Sequence, residues 1–131
     1  MNVTPKIRYA LIAAALALFV FACGAFAQQA PKSAPPSYVA DPAVYKLIAQ
    51  NDQFLVIKAT WAVGQRDKWH SHLPLAVYPL TDCQSRLYTP DGKSMEITQK
   101  AGSVAFLPVV PSHSAENIGT SACEILIVER K

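Results

Sequence analysis

The chain has 131 residues, with twelve lysines and arginines, nine aspartates and glutamates, three histidines and three cysteines. This length is enough for one domain with a single hydrophobic core. Two of the basic residues, Lys6 and Arg8, precede a long apolar run, so the rest of the chain carries ten basic against nine acidic residues. That near balance argues against a nucleic-acid-binding surface and against an acidic partner.

The N-terminus has the pattern of a secretory signal peptide. Residues 10–26 are almost continuously apolar, and Ala25-Phe26-Ala27 has the small-x-small pattern of a signal peptidase site. We therefore expect residues 1–27 to be removed and the mature protein to be periplasmic or secreted, with no membrane contact afterwards. Two alternatives remain open. The run could be an uncleaved membrane anchor, since about 17 apolar residues can just span a bilayer, or Cys23 could be lipidated.

Residues 28–40 are rich in proline and polar residues, which predicts an extended or disordered leader. The folded domain is then predicted over residues 41–131. Asp41-Pro42 is typical of a helix start, with an N-cap residue followed by proline at the first helical position. The sequence predicts a short helix over about Pro42 to Gln50, with an apolar face formed by Val44, Leu47 and Ile48.

From Phe54 the apolar residues recur with a period of two, which predicts a strand with one buried face up to about Val63. Pro90-Asp91-Gly92 is a good hairpin turn, because proline presets one dihedral angle and glycine accepts positive φ. Many short strands without a long helix favour an all-β sandwich or barrel. The further predicted strands are Leu75 to Leu80, Ser85 to Tyr88, Met95 to Thr98, Val104 to Leu107, His113 to Ile118 and Cys123 to Val128.

The histidines form the candidate metal site. Residues i and i+2 of a strand point to the same side, so His70 and His72 can converge on one point. His113 is the only histidine left to supply a third ligand. Three imidazoles suit one divalent transition metal (iron, zinc, manganese, nickel or copper) and leave coordination positions open for water or substrate. A His-x-His pair alone is weak evidence, and the residues around it decide its weight.

Those surrounding residues resemble the two motifs of the cupin superfamily. The first motif begins with glycine, five residues and His-x-His, as in Gly64, His70 and His72. The second motif runs glycine, five residues, Pro-x-Gly, two residues, histidine, three residues and asparagine. It is matched by Gly102, Pro108, His113 and Asn117, with Val110 in place of the middle glycine.

The resemblance implies an all-β double-stranded β-helix, the cupin or jelly-roll barrel, with the short helix at its N-terminus and the metal ligands in the barrel mouth. It also implies a small-molecule ligand or substrate and makes a homodimer possible. The sequence departs from the first motif where a glutamate ligand is usual, because Ala76 and Val77 occupy the two candidate positions. A later glycine is also missing, at Cys83 or Gln84. The ligand set is therefore predicted to be three neutral histidines.

Several functions remain open for such a site. The first is a metal-dependent enzyme, dioxygenase-like or Lewis-acid, acting on a small organic molecule. The alternatives are a non-catalytic binding or sensing module, in which the histidines could also be plain polar residues of a cavity, and a purely structural metal site. The sequence assigns no catalytic residue. Asp67 and Glu116 adjoin the motifs without an evident role.

We expect the ligand pocket to include Trp61, Trp69, Val77 and Asn117, although two tryptophans in a small barrel are more often core residues. Signal cleavage would leave two cysteines in an oxidising compartment. By the resemblance, they lie on neighbouring strands of one sheet. The predicted Cys83–Cys123 disulfide has two buried thiols as its alternative.

Overall fold

The computed structural model describes residues 33–131. The predicted signal peptide, Cys23 and the first part of the predicted leader lie outside the described residues. Within residues 33–131, no helix combines the length and apolarity needed to cross a membrane.

Strands dominate the described chain and form two antiparallel sheets. The five-stranded sheet has the order β1-β2-β9-β4-β7 and the four-stranded sheet the order β3-β8-β5-β6. Their bounds are β1 Tyr45–Gln50, β2 Phe54–Trp61, β3 His70–His72, β4 Leu75–Pro79, β5 Cys83–Tyr88, β6 Ser94–Gln99, β7 Ala105–Leu107, β8 Val110–Asn117 and β9 Cys123–Arg130, after a single turn of helix, α1 Ser37–Ala40.

The core lies between the two sheets. Strands β2 and β9 pair along their whole length, and every second residue of each is buried. This is the alternation expected of strands with one face towards a core and one towards solvent. The predicted alternation from Phe54 onwards is thus confirmed. The buried residues of these two strands are Leu55, Ile57, Ala59, Trp61, Cys123, Ile125, Ile127 and Glu129.

The predicted helix over Pro42 to Gln50 is wrong. The helical turn lies earlier, at Ser37–Ala40, and most of the predicted helix is strand β1, which pairs antiparallel with β2. The burial also differs from the helical expectation, because Ile48 is 56% exposed whereas Tyr45 is 2% exposed. Pairing with β2 supplies backbone hydrogen bonds and buries Tyr45, and such tertiary contacts override a weak local helix signal.

The end of the predicted leader packs against the barrel. The backbone N–H of Ala34 donates to Pro111, and that of Ser71 donates to Pro35, at 3.1 and 2.8 Å. Ser37 is fully buried at the start of α1. The proline-rich segment therefore runs along β3 and β8, the strands that carry the three histidines.

A disulfide joins Cys83 to Cys123, with 5.1 Å between their Cα atoms. The two cysteines do not lie on neighbouring strands of one sheet, as the resemblance implied. Cys83 begins β5 in the four-stranded sheet, whereas Cys123 begins β9 in the five-stranded sheet. The bond therefore ties the two layers of the barrel together at one end.

The two motif glycines have a conformational role. Gly64 and Gly102 have φ angles of 73° and 79°, a region that side chains with a Cβ atom rarely adopt. The N–H of Gly64 donates to Asn117 O and that of Gly102 to Pro79 O, each at 2.9 Å. Each glycine thus makes a turn that the motif spacing requires.

Candidate metal centre

The three histidines come together on the paired strands β3 and β8. His70 and His72 lie on the same side of β3, and His70 is directly opposite His113 in the register. One ring nitrogen from each histidine can be chosen such that all three atoms lie within 4.8 Å of one another. Two nitrogens at about 2.0–2.1 Å from one zinc ion are at most about 4.2 Å apart, so a movement of less than about 1 Å would bring all three onto a single ion.

A register shift between β3 and β8 shapes this site. His72 pairs with Val110, so two steps along β3 match three steps along β8. Such a bulge places consecutive side chains near one side of a strand and is common beside functional sites. Ser112 and His113 consequently both reach the cavity inside the barrel.

The hydrogen bonds of His70 fix its protonation. Its Nδ1 lies 2.8 Å from the carbonyl oxygen of Lys68, which can only accept, so Nδ1 carries the hydrogen. Burial, assisted by nearby His72, lowers the pKa of His70 to about 3. The ring is therefore neutral at pH 7, and its Nε2 lone pair points towards the other histidines.

A buried carboxylate orients His72 in the same way. The Nδ1 of His72 lies 2.5 Å from Oε1 of Glu129, a residue of β9 that is 2% exposed. The imidazole donates this hydrogen bond, so in the neutral ring, which is the form that binds a metal, the lone pair is on Nε2. A carboxylate behind the imidazole is the usual arrangement for a metal-binding histidine, since it fixes the ring and raises the basicity of the ligand.

The donor atoms that result fit a cation. The Nε2 atoms of His70 and His72 are 3.1 Å apart, and both carry lone pairs by the assignments above. Two lone pairs this close repel unless a metal ion or a proton lies between them. His113 adds a buried Nδ1 without a hydrogen-bond partner in the described part of the chain. Burial and the two other rings lower the pKa of His113 to about 2, so it too is a neutral ligand at pH 7.

Tyr45 and Asp67 form a second polar layer next to His70. The hydroxyl oxygen of Tyr45 lies 2.9 Å from His70 Nε2 and donates its hydrogen to Asp67 Oδ2 at 2.8 Å. Asp67 also accepts from Trp61 Nε1 at 3.0 Å and from the backbone N–H of Ala115 at 2.7 Å. Burial raises the pKa of Tyr45 well above its usual value, so the phenol keeps its hydrogen.

Burial also has the largest effect on the pKa of the Asp67 carboxyl group. It raises the pKa of Asp67 to about 6, although the hydrogen bonds from Ala115, Tyr45 and Trp61 oppose this shift. Asp67 is therefore mostly ionised at pH 7. Together with Glu129 it provides negative charge close to the histidines, which a divalent ion would otherwise lack in a neutral ligand set.

A cavity of about 250 Å³ lies inside the barrel next to this cluster. Of the three histidines, His72 and His113 line it, while His70 is completely buried and does not. A separate surface cleft touches His72 and Glu129 from another side, but neither His70 nor His113 lines it. The internal cavity is therefore the place where a small molecule would meet the histidines.

The expected pocket residues divide into two pairs. Trp61 and Val77 lie in the cavity wall, whereas Trp69 and Asn117 do not. Asn117 instead secures loop backbone, since its Nδ2 donates to the carbonyls of Trp61, Ala62 and Ser121 and its Oδ1 accepts from Gly119. The ring of Trp69 lies near the Arg66 guanidinium, 5.7 Å from it.

Sequence reasoning missed two functional residues, Tyr45 and Glu129. The sequence places Tyr45 in the predicted helix and Glu129 just beyond the predicted strand Cys123 to Val128. A signal for Glu129 existed, because it continues the buried alternation of Cys123, Ile125 and Ile127. A charged residue at a position predicted to be buried indicates a partner, here His72. Glu116, by contrast, is on the outside, bonded to the hydroxyl of Tyr88.

No protein-family model and no curated protein sequence matches the chain. Solved structures do match. A cupin domain from Bordetella pertussis Tohama I superposes with a TM-score of 0.62 at 21% identity, covering 76% of this chain and 97% of that one. An RmlC-like cupin family protein with a double-stranded β-helix fold from Methanocaldococcus jannaschii gives 0.54 at 14% identity, covering 66% and 78%. These similarities confirm the predicted fold.

Proposed function

Because the chain has the cupin fold, a barrel in which three histidines converge beside a cavity, we propose that it binds one divalent transition metal through His70, His72 and His113. The observation that carries this proposal is the pair of Nε2 lone pairs 3.1 Å apart, each held in place by a hydrogen bond on the opposite ring nitrogen. Apart from the Tyr45 hydroxyl, 2.9 Å from His70 Nε2, the residues from 33 to 131 offer these two Nε2 atoms no further hydrogen-bond partner.

We further propose that the protein acts on a small organic molecule in the cavity. A bound metal would supply Lewis acidity or, if redox-active, electron transfer to dioxygen. The chain itself would orient the molecule through the cavity wall and exclude water. Tyr45, whose hydroxyl lies 2.9 Å from His70 Nε2, lines the cavity and would place a neutral hydrogen-bonding group beside the proposed ligands.

The competing function is a non-catalytic binding or sensing module. One observation favours it: neither Asp67 nor Glu129 lines the cavity, so within the described residues no carboxylate stands there as a general base. Turnover separates the two functions. Oxygen consumption or product formation with a panel of small organic molecules supports an enzyme, whereas saturable binding without turnover supports the module.

Metal content is the first test. The protein is purified without chelator and analysed for bound metals, beside His70→Ala and His113→Ala. We expect about one metal ion per chain, lost in both variants while they remain folded. Ser85→Ala is the matched control, because it removes a polar group from the same cavity wall and leaves the imidazoles intact. Absence of metal after reconstitution with iron, zinc, manganese, nickel and copper would refute the proposal.

We also propose that the protein is exported. The proposal is supported by the apolar run of residues 10–26 and by the disulfide, which is typical of oxidising compartments. Expression of the full chain in a bacterial host, followed by mass spectrometry of the periplasmic fraction, should give a mature chain that begins at Gln28. An intact N-terminus found only in the cytoplasm would contradict export.

A further inference from the structure

The cavity beside the histidines is lined mainly by hydrocarbon. Eleven of its eighteen lining residues are aliphatic, methionine, alanine or tryptophan, contributed by both sheets. Its volume of about 250 Å³ is below the range of roughly 300–1,000 Å³ that is usual for drug-sized ligands. The cavity therefore suits a small molecule with a largely apolar body.

Charge is missing from the cavity wall. Among residues 33–131, no lysine, arginine, aspartate or glutamate side chain lines it. An ionised carboxylate, phosphate or ammonium group of a ligand would lose its hydration on entry and find no counter-ion along the wall. Burying an unpaired charge costs far more than burying a neutral group. The wall therefore selects against ions.

One end of the cavity is polar. Ser112 is 4% exposed, and its hydroxyl, like His113 Nδ1, has no hydrogen-bond partner among the described residues. Both residues line the cavity. Buried polar atoms are normally satisfied. The proposed metal would satisfy His113 Nδ1, so the unsatisfied Ser112 hydroxyl beside it indicates where a polar group of a metal-bound ligand lies.

The other end opens between the edges of the two sheets. Met95 of β6 and Leu107 of β7 both line the cavity and are 59% and 45% exposed. An apolar rim of this kind favours entry of an uncharged molecule, since an ionic one would be better solvated outside.

We propose that the molecule bound at the metal centre is small, with an uncharged apolar body along the wall and one polar head group at the metal and Ser112. The inference rests on the proposed metal function and specifies its substrate class. It excludes molecules that carry a charge or several hydroxyl groups on the part that lies along the wall, since these groups would remain unpaired there.

The test uses two probes that share a metal-binding head and differ in the charge of the tail. These are 4-phenylimidazole and 4-(imidazol-4-yl)benzoate, titrated at pH 8, where both heads are neutral. The protein is loaded with Co²⁺, and binding is followed by the change in its visible absorption. We expect the carboxylated probe to bind at least about tenfold more weakly. Equal or tighter binding of the carboxylated probe would overturn the proposal.

Two lysine variants on one strand test whether the wall causes this selection. Ile97 lines the cavity, whereas its neighbour Thr98 is exposed and does not. In Ile97→Lys, the preference for 4-phenylimidazole over the carboxylated probe should narrow or reverse. In Thr98→Lys, this preference should stay as in the unmodified protein. The same response in both variants would show a general charge effect and overturn the argument. Ser112→Ala should weaken the binding of 4-phenylimidazole about fivefold. An unchanged affinity would show that the head group does not bind at Ser112.

Failure of the metal function can be distinguished from failure of this inference. If the protein takes up no cobalt, the metal proposal fails, and the metal-free protein is titrated with N-phenyl-1-naphthylamine and 8-anilinonaphthalene-1-sulfonate. These fluorophores share an anilinonaphthalene framework, and only the second is an anion. Preference for the neutral fluorophore, weakened by Ile97→Lys and not by Thr98→Lys, supports an apolar site. Preference for the anion overturns it.

Discussion

His72 and Glu129 are joined by a hydrogen bond of 2.5 Å between Nδ1 and Oε1, although 57 positions separate them in the sequence. Their strands lie in different sheets, β3 in one and β9 in the other. The bond therefore crosses the barrel and sets the direction of the His72 lone pair from the opposite layer. It also supplies negative charge close to a ligand set that has none of its own.

The first prediction concerns this carboxylate. Glu129→Gln keeps an oxygen that can accept from His72 Nδ1 but removes the charge. We expect metal affinity to fall about 10- to 100-fold, as is usual when the partner behind a ligating histidine is changed. Competition with a chromogenic chelator measures the change.

A matched control lies on the same strand. Glu124 faces solvent on β9 and forms an ion pair with Lys58 at 3.3 Å. Glu124→Gln should leave metal affinity unchanged, because surface charges are screened. Equal effects of the two substitutions would show a dependence on net charge and contradict the role given to Glu129.

The second prediction concerns Asp67, which accepts hydrogen bonds from Tyr45, Trp61 and the backbone of Ala115. Asp67→Ala leaves three buried donors without an acceptor. We expect the free energy of unfolding to fall by about 3 kcal/mol or more, measured by urea denaturation. Asp52→Ala, at an exposed turn, should change it by less than about 0.5 kcal/mol. A small effect at Asp67 would indicate that water replaces its hydrogen bonds.

Much of this arrangement was predictable because it depends on local repeats. Alternation marked the strand from Phe54, and the paired motif spacings placed His70, His72 and His113 together. The misplaced helix shows the limit of local reasoning. Val44, Leu47 and Ile48 fit a helical face, and only pairing of β1 with β2 makes the segment a strand.

Partners distant in sequence were beyond local reasoning for the same reason. The contacts of Tyr45 with Asp67 and of Glu129 with His72 depend on strand order and register across the barrel. The cysteine pair was predictable, but not the sheets that it joins. The lack of charged residues in the cavity wall could also not be predicted, since it depends on which residues of several strands face inwards.

The third prediction concerns the Cys83–Cys123 disulfide, which closes a loop with a sequence separation of 40 and joins the two sheets. In the chain-entropy model a loop of this size stabilises the folded state by about 4 kcal/mol. Reduction, or the double substitution to serine, should lower the urea midpoint accordingly. We expect the reduced protein and the double variant to retain the bound metal wherever they stay folded, because neither cysteine contacts the histidines. An unchanged midpoint would contradict a bond between these cysteines.

The last prediction is the pH dependence of the metal-free protein. Burial lowers the pKa of His70 to about 3 and that of His113 to about 2, from an ordinary value of 6.5. As the pH falls below 6.5, the unfolded chain takes up protons at both positions and the folded chain does not, so the free energy of unfolding falls. Asp67 opposes this, because its folded pKa of about 6 lies above the ordinary 3.8, which adds stability as the pH falls between these values.

Between pH 6 and 4 the unfolded chain binds two more protons than the folded chain at His70 and His113, and the folded chain binds one more at Asp67. The unfolded chain therefore binds one more proton in total. The free energy of unfolding should therefore decrease by about 1.4 kcal/mol per pH unit in this window. Urea denaturation at several pH values measures the slope. His113→Asn removes one of the two histidines and should bring the slope near zero. If the slope in the variant equals that of the unmodified protein, the acid sensitivity arises elsewhere in the chain.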